Sequence, residues 1–297
     1  MNARIRISLC VFLLILIISL CAGCVDTADK AQVATTTLPV YEFTTRLCQG
    51  TDIRTVRLIT ENISCLHDYS LQVSQMRAAE SAEVIVCSGV GLEDFLADVL
   101  PKSATVIDAS ENVPLLCTEV AHEDHHDHGH SHNQDPHIWL SPANARIMAS
   151  NICHGLSAAY PAYSGIFEAN LQALDAELVA LESYGKQQLS ELSCREMITF
   201  HDGFSYFANA FDLQILRALE EESGSEASAA EIIELADLIQ IHSLPAIFTE
   251  ENGSTAAASI LKAETGTAVY SLDMAISGDS YFDAMYQNIN TVKEALG

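Results

Sequence analysis

Positive charge is scarce in this sequence: 14 Lys and Arg stand against 40 Asp and Glu, for a formal net charge of −26. Such a chain repels phosphate and offers no basic stripe, which excludes nucleic acid as a partner. The same field favours arriving cations. Beyond Cys24 there is no CxxC pair, so a cysteine zinc knuckle is unsupported. Nor does any segment after the first two dozen residues approach the roughly 20 apolar residues that span a bilayer.

The one long apolar run stands at the start. Residues 1–23 combine Arg4 and Arg6, an apolar stretch over residues 7–20 and the small pair Ala22-Gly23, the pattern of an export signal. Removing the two arginines takes the formal charge from −26 to −28. The ending Leu20-Cys21-Ala22-Gly23-Cys24 resembles a bacterial lipobox, which implies cleavage before Cys24 and lipidation of its sulfur. Two acyl chains there would hold a soluble protein on the outer face of the cell membrane, with residues 24–32 as a tether. Six cysteines remain: Cys48, Cys65, Cys87, Cys117, Cys153 and Cys194. An even number permits disulfides in an exported protein, although Cys87, Cys153 and Cys194 lie in apolar contexts where a buried free thiol is equally ordinary.

Histidine is concentrated. Seven of the 11 histidines fall within AHEDHHDHGHSHNQDPHIWLSP, residues 121–142. His122, His125, His126, His128, His130 and His132 are interleaved with Glu123, Asp124, Asp127 and Gly129, so the stretch over 121–135 has almost nothing apolar to bury and reads as a solvated loop whose imidazoles take up divalent transition metals weakly. A polar surface insertion without function is the plainer alternative. His137 differs, because Ile138-Trp139-Leu140 reads as a buried segment and Ser141-Pro142 as a helix N-cap followed by proline at the first helical position. A histidine on structured backbone can be a defined ligand.

The rest of the chain alternates short strands with helices. Strands are expected over residues 33–38, 55–59, 84–87, 105–107, 197–200, 246–248 and 269–272, which implies parallel sheets covered on both faces. The fold class is therefore α/β, with two open lobes over residues 33–159 and 193–297. The segment 160–192 links them through one long helix, predicted over 163–192 from the four-and-three spacing of Phe167, Leu171, Leu174, Leu178 and Leu181. A coiled-coil arm is disfavoured because the seam lasts only about two heptads.

Sites in open α/β sheets lie at the carboxyl ends of strands. His201 and Asp273 directly follow two predicted strands, and His67 follows another after a brief loop. Each position alone has an ordinary structural explanation, such as a hydrogen-bonded histidine or a helix-capping aspartate. Together they place His67 and His137 in one lobe and His201 and Asp273 in the other, so that a cleft between lobes could collect ligands from both sides. His154 reads as mid-helix and His242 as a residue at a helix C-terminus.

At these residues the chain resembles the zinc and manganese receptor lipoproteins of ABC importers. The likeness is carried by TTTLPVYEFT, CLHDYSLQVSQ, DPHIWLSP, TFHDGFSYFANAFDL, AIFTEENGS, VYSLD and YFDAMYQNINTVKEAL. It implies two lobes on a rigid helix, a single ion between them, a monomer, and an ABC permease with its ATPase as partners. The implied ligands are His67, His137 and His201, with Asp273 or Glu250 as the acidic fourth. Manganese members tend to carry glutamate where this chain has His201, which favours Zn²⁺ over Mn²⁺. Three imidazoles and one carboxylate also suit tetrahedral zinc, whereas manganese prefers more oxygen. No catalysis is expected. A zinc hydrolase would instead leave the fourth position to water beside a general base, and an adhesin or zinc buffer would hold most of its metal in the loop.

The two histidine populations make a testable contrast. Ordering the loop opposes binding by about 1–2 kcal/mol per fixed residue, whereas ligands on strand ends are set before the ion arrives. Deleting residues 122–132 should leave one tight zinc per molecule by calorimetric titration and remove only weaker binding; loss of the tight equivalent would assign it to the loop.

Overall fold

The computed structural model describes residues 33–61, 69–96, 100–116, 134–219 and 227–297. The leader, Cys24, Cys65, Cys117, His67 and the loop histidines lie outside these residues.

Two four-stranded parallel sheets form the frame. β1 (Val33–Thr35), β2 (Thr55–Arg57), β3 (Val84–Cys87) and β4 (Thr105–Asp108) lie in the order β2-β1-β3-β4, with Ala34 opposite both Val56 and Ile85. β5 (Glu196–Thr199), β6 (Gln214–Ala218), β7 (Ala246–Glu250) and β8 (Ala268–Leu272) repeat that order as β6-β5-β7-β8. Val84, Ile85 and Val86 are buried, as are all five residues of β7, as central strands covered on both faces require.

The first strand is shorter than the sequence suggests, and its boundary has a local cause. Pro39 occupies the first turn of α1 (Leu38–Leu47), where its fixed φ favours helix and its missing N–H loses nothing, so the chain turns helical straight after Thr37. β6 was not expected at all. It is an edge strand whose residues are half-buried or exposed, so it lacks the apolar run that marks its neighbours.

α2 (Val73–Ser81) and α3 (Pro142–Ala159) complete the helices of the first lobe, and Ser141 Oγ accepts the Asn144 N–H as its N-cap role requires. α4 (Ser164–Gln188) is the connecting helix, about 37 Å long at 1.5 Å per residue. Its buried stripe is Phe167, Leu174, Leu178, Leu181 and Gly185. It ends four residues earlier than predicted, and Arg195 accounts for the stop: its Nη2 donates to the Leu189 and Ser190 carbonyls at 2.8 and 3.0 Å, satisfying acceptors that further helix would have used. The second lobe adds α5 (Ser205–Ala210), α6 (Ala229–His242), α7 (Ala256–Thr265) and α8 (Tyr281–Leu296).

The segment after β8 is tied to the first lobe at alternate carbonyls. Met274 O accepts from Trp139 Nε1 at 2.8 Å, Ile276 O from Leu38 N at 3.0 Å and Gly278 O from Arg57 Nη1 at 2.7 Å. Tyr281 follows, fully buried, with its hydroxyl donating to Trp139 O at 2.8 Å and its ring 5.1 Å from Phe43. Cys48, Cys87, Cys153 and Cys194 are free thiols; burial pushes Cys48 up to about 12 and raises Cys87 and Cys153, which keeps those three protonated at neutral pH.

Gly185 is glycine because α4 meets Phe211 there. A Cβ at this position would fall 2.2 Å from Phe211 Cε1, and that ring is itself held 4.9 Å from Phe207. Gly185→Ala should therefore destabilise the fold by about 1–3 kcal/mol, outweighing the gain of about 1 kcal/mol expected from helix propensity. Thermal unfolding measures the sign, and a raised Tm would mean that Phe211 gives way freely.

Candidate metal centre

Strand order reverses between β5 and β7, the point in an open parallel sheet where ligands bind beyond the carboxyl ends. Glu250 is the last residue of β7 and His201 lies two residues past β5, so the pair flanks that point. His201 sits in a bend, and α5 begins only at Ser205. His137 arrives from the other lobe. It immediately precedes the 3-10 turn Ile138–Leu140, whose three side chains are completely buried and hold the backbone rigid.

The two imidazoles meet edge to face, with centroids 5.2 Å apart and planes at 84°. His137 is 2 % exposed and also lies 5.4 Å from the Trp139 ring, which is anchored through its indole N–H to Met274 O. Gly203 leaves room for this approach. A Cβ there would fall 2.7 Å from His201 Cδ2, 3.1 Å from His137 Cε1 and 2.4 Å from Met274 Cε.

Carboxylates surround the pair. Asp135 Oδ1 accepts from His137 Nδ1 at 2.8 Å and from His137 N at 2.9 Å. Glu250 Oε2 lies 3.6 Å from His201 Nδ1. Asp273 is fixed by its neighbours: Asn288 accepts its N–H and donates to its carbonyl, while Asp273 Oδ1 accepts from Ala275 N at 2.7 Å. Burial first, and the Asp273 charge second, push Glu250 up to about 7. Burial, the Asp273 charge and a hydrogen bond with Asp273 raise Glu251 as well. Among the described residues no Lys or Arg pairs with Asp135, Glu250 or Asp273, and Asp135 Oδ2 and Glu250 Oε1 are buried without a hydrogen-bond partner. Buried acid without a cation is costly. Imidazole nitrogen with carboxylate oxygen is the donor set that divalent zinc accepts.

Of the residues predicted for the site, the structure brings His137, His201 and Glu250 together, with Asp273 close enough to act on Glu250 electrostatically. His67 belongs to residues 62–68, outside the described set. On either side of that segment Tyr69 Oη donates to Glu61 Oε2 at 2.7 Å, which joins its two flanks. His154 is exposed on α3, and His242 ends α6 with its Nδ1 2.9 Å from Glu196 Oε2, away from the centre. Sequence reasoning missed Asp135, Gly203 and Met274. Only Asp135 carried a local signal, the Asp-Pro-His spacing that lets an aspartate oxygen reach the N–H two residues on.

Glu250 gives the metal-free protein a defined pH dependence. Its carboxyl titrates near 4.5 when unfolded and about 7 when folded. Between those values the unfolded chain has lost a proton that the native state keeps, so stability falls as pH rises through that window and stays lower above it, by on the order of 3 kcal/mol. Chemical denaturation of the metal-free protein across pH 4–8 should show a smaller fall for Glu250→Gln than for the parent. An identical fall in both would remove Glu250 as its source.

Comparison with known proteins agrees with this architecture. Residues 33–295 match the family profile described as zinc-uptake complex component A, periplasmic. A protein of Treponema pallidum (strain Nichols) named for metal binding is 31 % identical over 278 residues, covering 90 % of this chain and 87 % of its own. The zinc-binding lipoprotein AdcA of Streptococcus pneumoniae serotype 4 (strain ATCC BAA-334 / TIGR4) is 29 % identical over 302 residues; the match takes in 97 % of this chain but only 59 % of that longer relative. The crystal structure of ZnuA superposes with a TM-score of 0.80 at 28 % identity, over 91 % of this chain and all of that one. The Zn(II)-bound ZnuA-like domain of Streptococcus pneumoniae AdcA gives a TM-score of 0.75 at 26 % identity, over 90 % and 99 % of the two chains. With the family profile matched along nearly the whole described chain, the protein belongs to the family of the periplasmic component A of zinc-uptake complexes.

Proposed function

We propose that this protein captures Zn²⁺ outside the cytoplasm, held to the membrane by a lipid on Cys24, and delivers it to an ABC permease driven by its ATPase. His137 and His201 are two of the ligands, His67 the third, and an acidic residue, Asp273 or Glu250, completes or neutralises the set. The observation that carries this reading is the 5.2 Å approach of two imidazoles from different lobes, beside buried carboxylates that no Lys or Arg neutralises among the described residues. A bound dication supplies the missing positive charge. Membership of the zinc-uptake family and the zinc-binding names of relatives support the choice of ion.

Delivery requires release, and the donor set suits it. Ligating imidazoles must be neutral, so affinity should fall as pH drops through about 6.5. The histidine-rich stretch around residues 122–132 would add weak, adaptable binding that raises the local zinc concentration without competing for the tight site. The loop also contains the letters of HExxH at His122-Glu123-Asp124-His125-His126, but in a run of Asp, Gly and His that is poor in helix formers, whereas the hydrolase motif works on a helix. Steady hydrolytic turnover abolished by chelation would reverse that judgement.

The decisive test is calorimetric titration with Zn²⁺ and Mn²⁺ in competition. One tight zinc per molecule is expected, retained against manganese, lost in His201→Ala and unchanged in His154→Ala. Saturating zinc at neutral pH should also raise Tm, by about 2.7 kcal/mol of stabilisation at a free concentration one hundred times Kd. Preferential retention of manganese, or an intact tight site in His201→Ala, would contradict the proposal.

A further inference from the structure

We propose that Asp135 is the positioning residue of His137, fixing the ring so that Nε2 is the atom offered to the metal, and that Glu250 holds the same place beside His201 rather than serving as a ligand. This inference rests on the zinc-binding reading above. One oxygen of Asp135 receives both the backbone N–H of His137, at 2.9 Å, and its ring Nδ1, at 2.8 Å. Two contacts on one acceptor, separated only by Pro136, define the orientation of the ring as well as its position. Asp135 is 1 % exposed, so water does not compete for this oxygen.

A carboxylate can only accept a hydrogen bond, so the ring proton must reside on Nδ1. Nε2 then carries the lone pair that a metal needs. The hydrogen bond made by one imidazole nitrogen decides which form the other takes, and a carboxylate behind a ligating histidine raises its basicity and offsets charge arriving with the ion. The same side of the second ring faces Glu250, whose Oε2 is 3.6 Å from His201 Nδ1. A carboxylate on the Nδ1 side of each histidine assigns the metal to the opposite edge of both rings.

The test begins with metal-free protein carrying ¹⁵N-labelled histidine. At neutral pH the His137 spectrum should show a protonated Nδ1 and an unprotonated Nε2, with the balance moving towards protonated Nε2 in Asp135→Ala. Asp135→Asn and Asp135→Ala should each still bind one zinc, with affinity lowered about 10–100-fold. Glu250→Gln should behave likewise, keeping its single zinc at reduced affinity. A neutral His137 ring protonated on Nε2 and not on Nδ1 in the parent, or affinity within twofold of the parent in Asp135→Ala, would overturn the role of Asp135. Complete loss of the zinc equivalent in folded Glu250→Gln would make Glu250 a ligand. Should Asp135→Ala fail to fold, the parent spectrum and Asp135→Asn still decide the matter. Should the parent bind no zinc, the transport reading fails, while the ring-proton position in the parent still stands or falls by itself.

Discussion

The geometry of the centre depends on how the segment after β8 is held. Met274, Ile276 and Gly278 present alternate carbonyls to the first lobe, which answers with an indole, a backbone amide at the start of α1 and a guanidinium at the end of β2. Buried backbone acceptors need donors, and here the donors come from the opposite lobe. The segment therefore acts as a strap that fixes one sheet relative to the other. Its first anchor, Trp139, also flanks His137, and the anchored residue, Met274, packs over Gly203 beside both histidines. Asp273 is joined to the same strap through Ala275, whose φ of 51° places it in the left-handed region and whose N–H donates to the Asp273 carboxylate. The two histidines and the alignment of the lobes are thus parts of one network.

The two sheets repeat one strand order yet use the reversal point differently. In the first, that point is filled from within by Glu93, a buried side chain, which accepts from Thr36 Oγ1 at 2.6 Å, Ser88 N at 2.7 Å and Gly89 N at 3.0 Å. Burial raises its carboxyl and those three donors moderate the rise. In the second, a glutamate from the end of β7, Glu250, has one oxygen towards His201 and the other without a hydrogen-bond partner among the described residues. The first sheet satisfies its own buried acid, whereas the second leaves its acid to be balanced by something positive. A protein that takes up a dication needs that asymmetry in one lobe only.

Much of this was legible in the sequence because it is written in short-range patterns. The four-and-three spacing from Phe167 to Leu181 gave the connecting helix, Ser141-Pro142 gave the start of α3, and apolar tetrads such as Val84 to Cys87 gave central strands. β6 escaped because Gln214 and Arg217 on a half-exposed edge leave no clear alternation. The end of α4 escaped because it depends on Arg195 reaching back to Leu189 and Ser190. At the centre, His137 and His201 could be picked out by their places beside a buried segment and a strand end. Gly203 and Met274 could not, since their roles exist only once residues from both lobes are in contact. Long-range polar pairing leaves little trace in local sequence.

A cation seated between the two lobes is tested most directly by anomalous diffraction from zinc-loaded crystals at the zinc absorption edge. A single strong peak between the Nε2 atoms of His137 and His201, with Asp135 and Glu250 behind the rings, is the predicted result. Zinc bound elsewhere on the chain, with no peak between those two histidines, would contradict it.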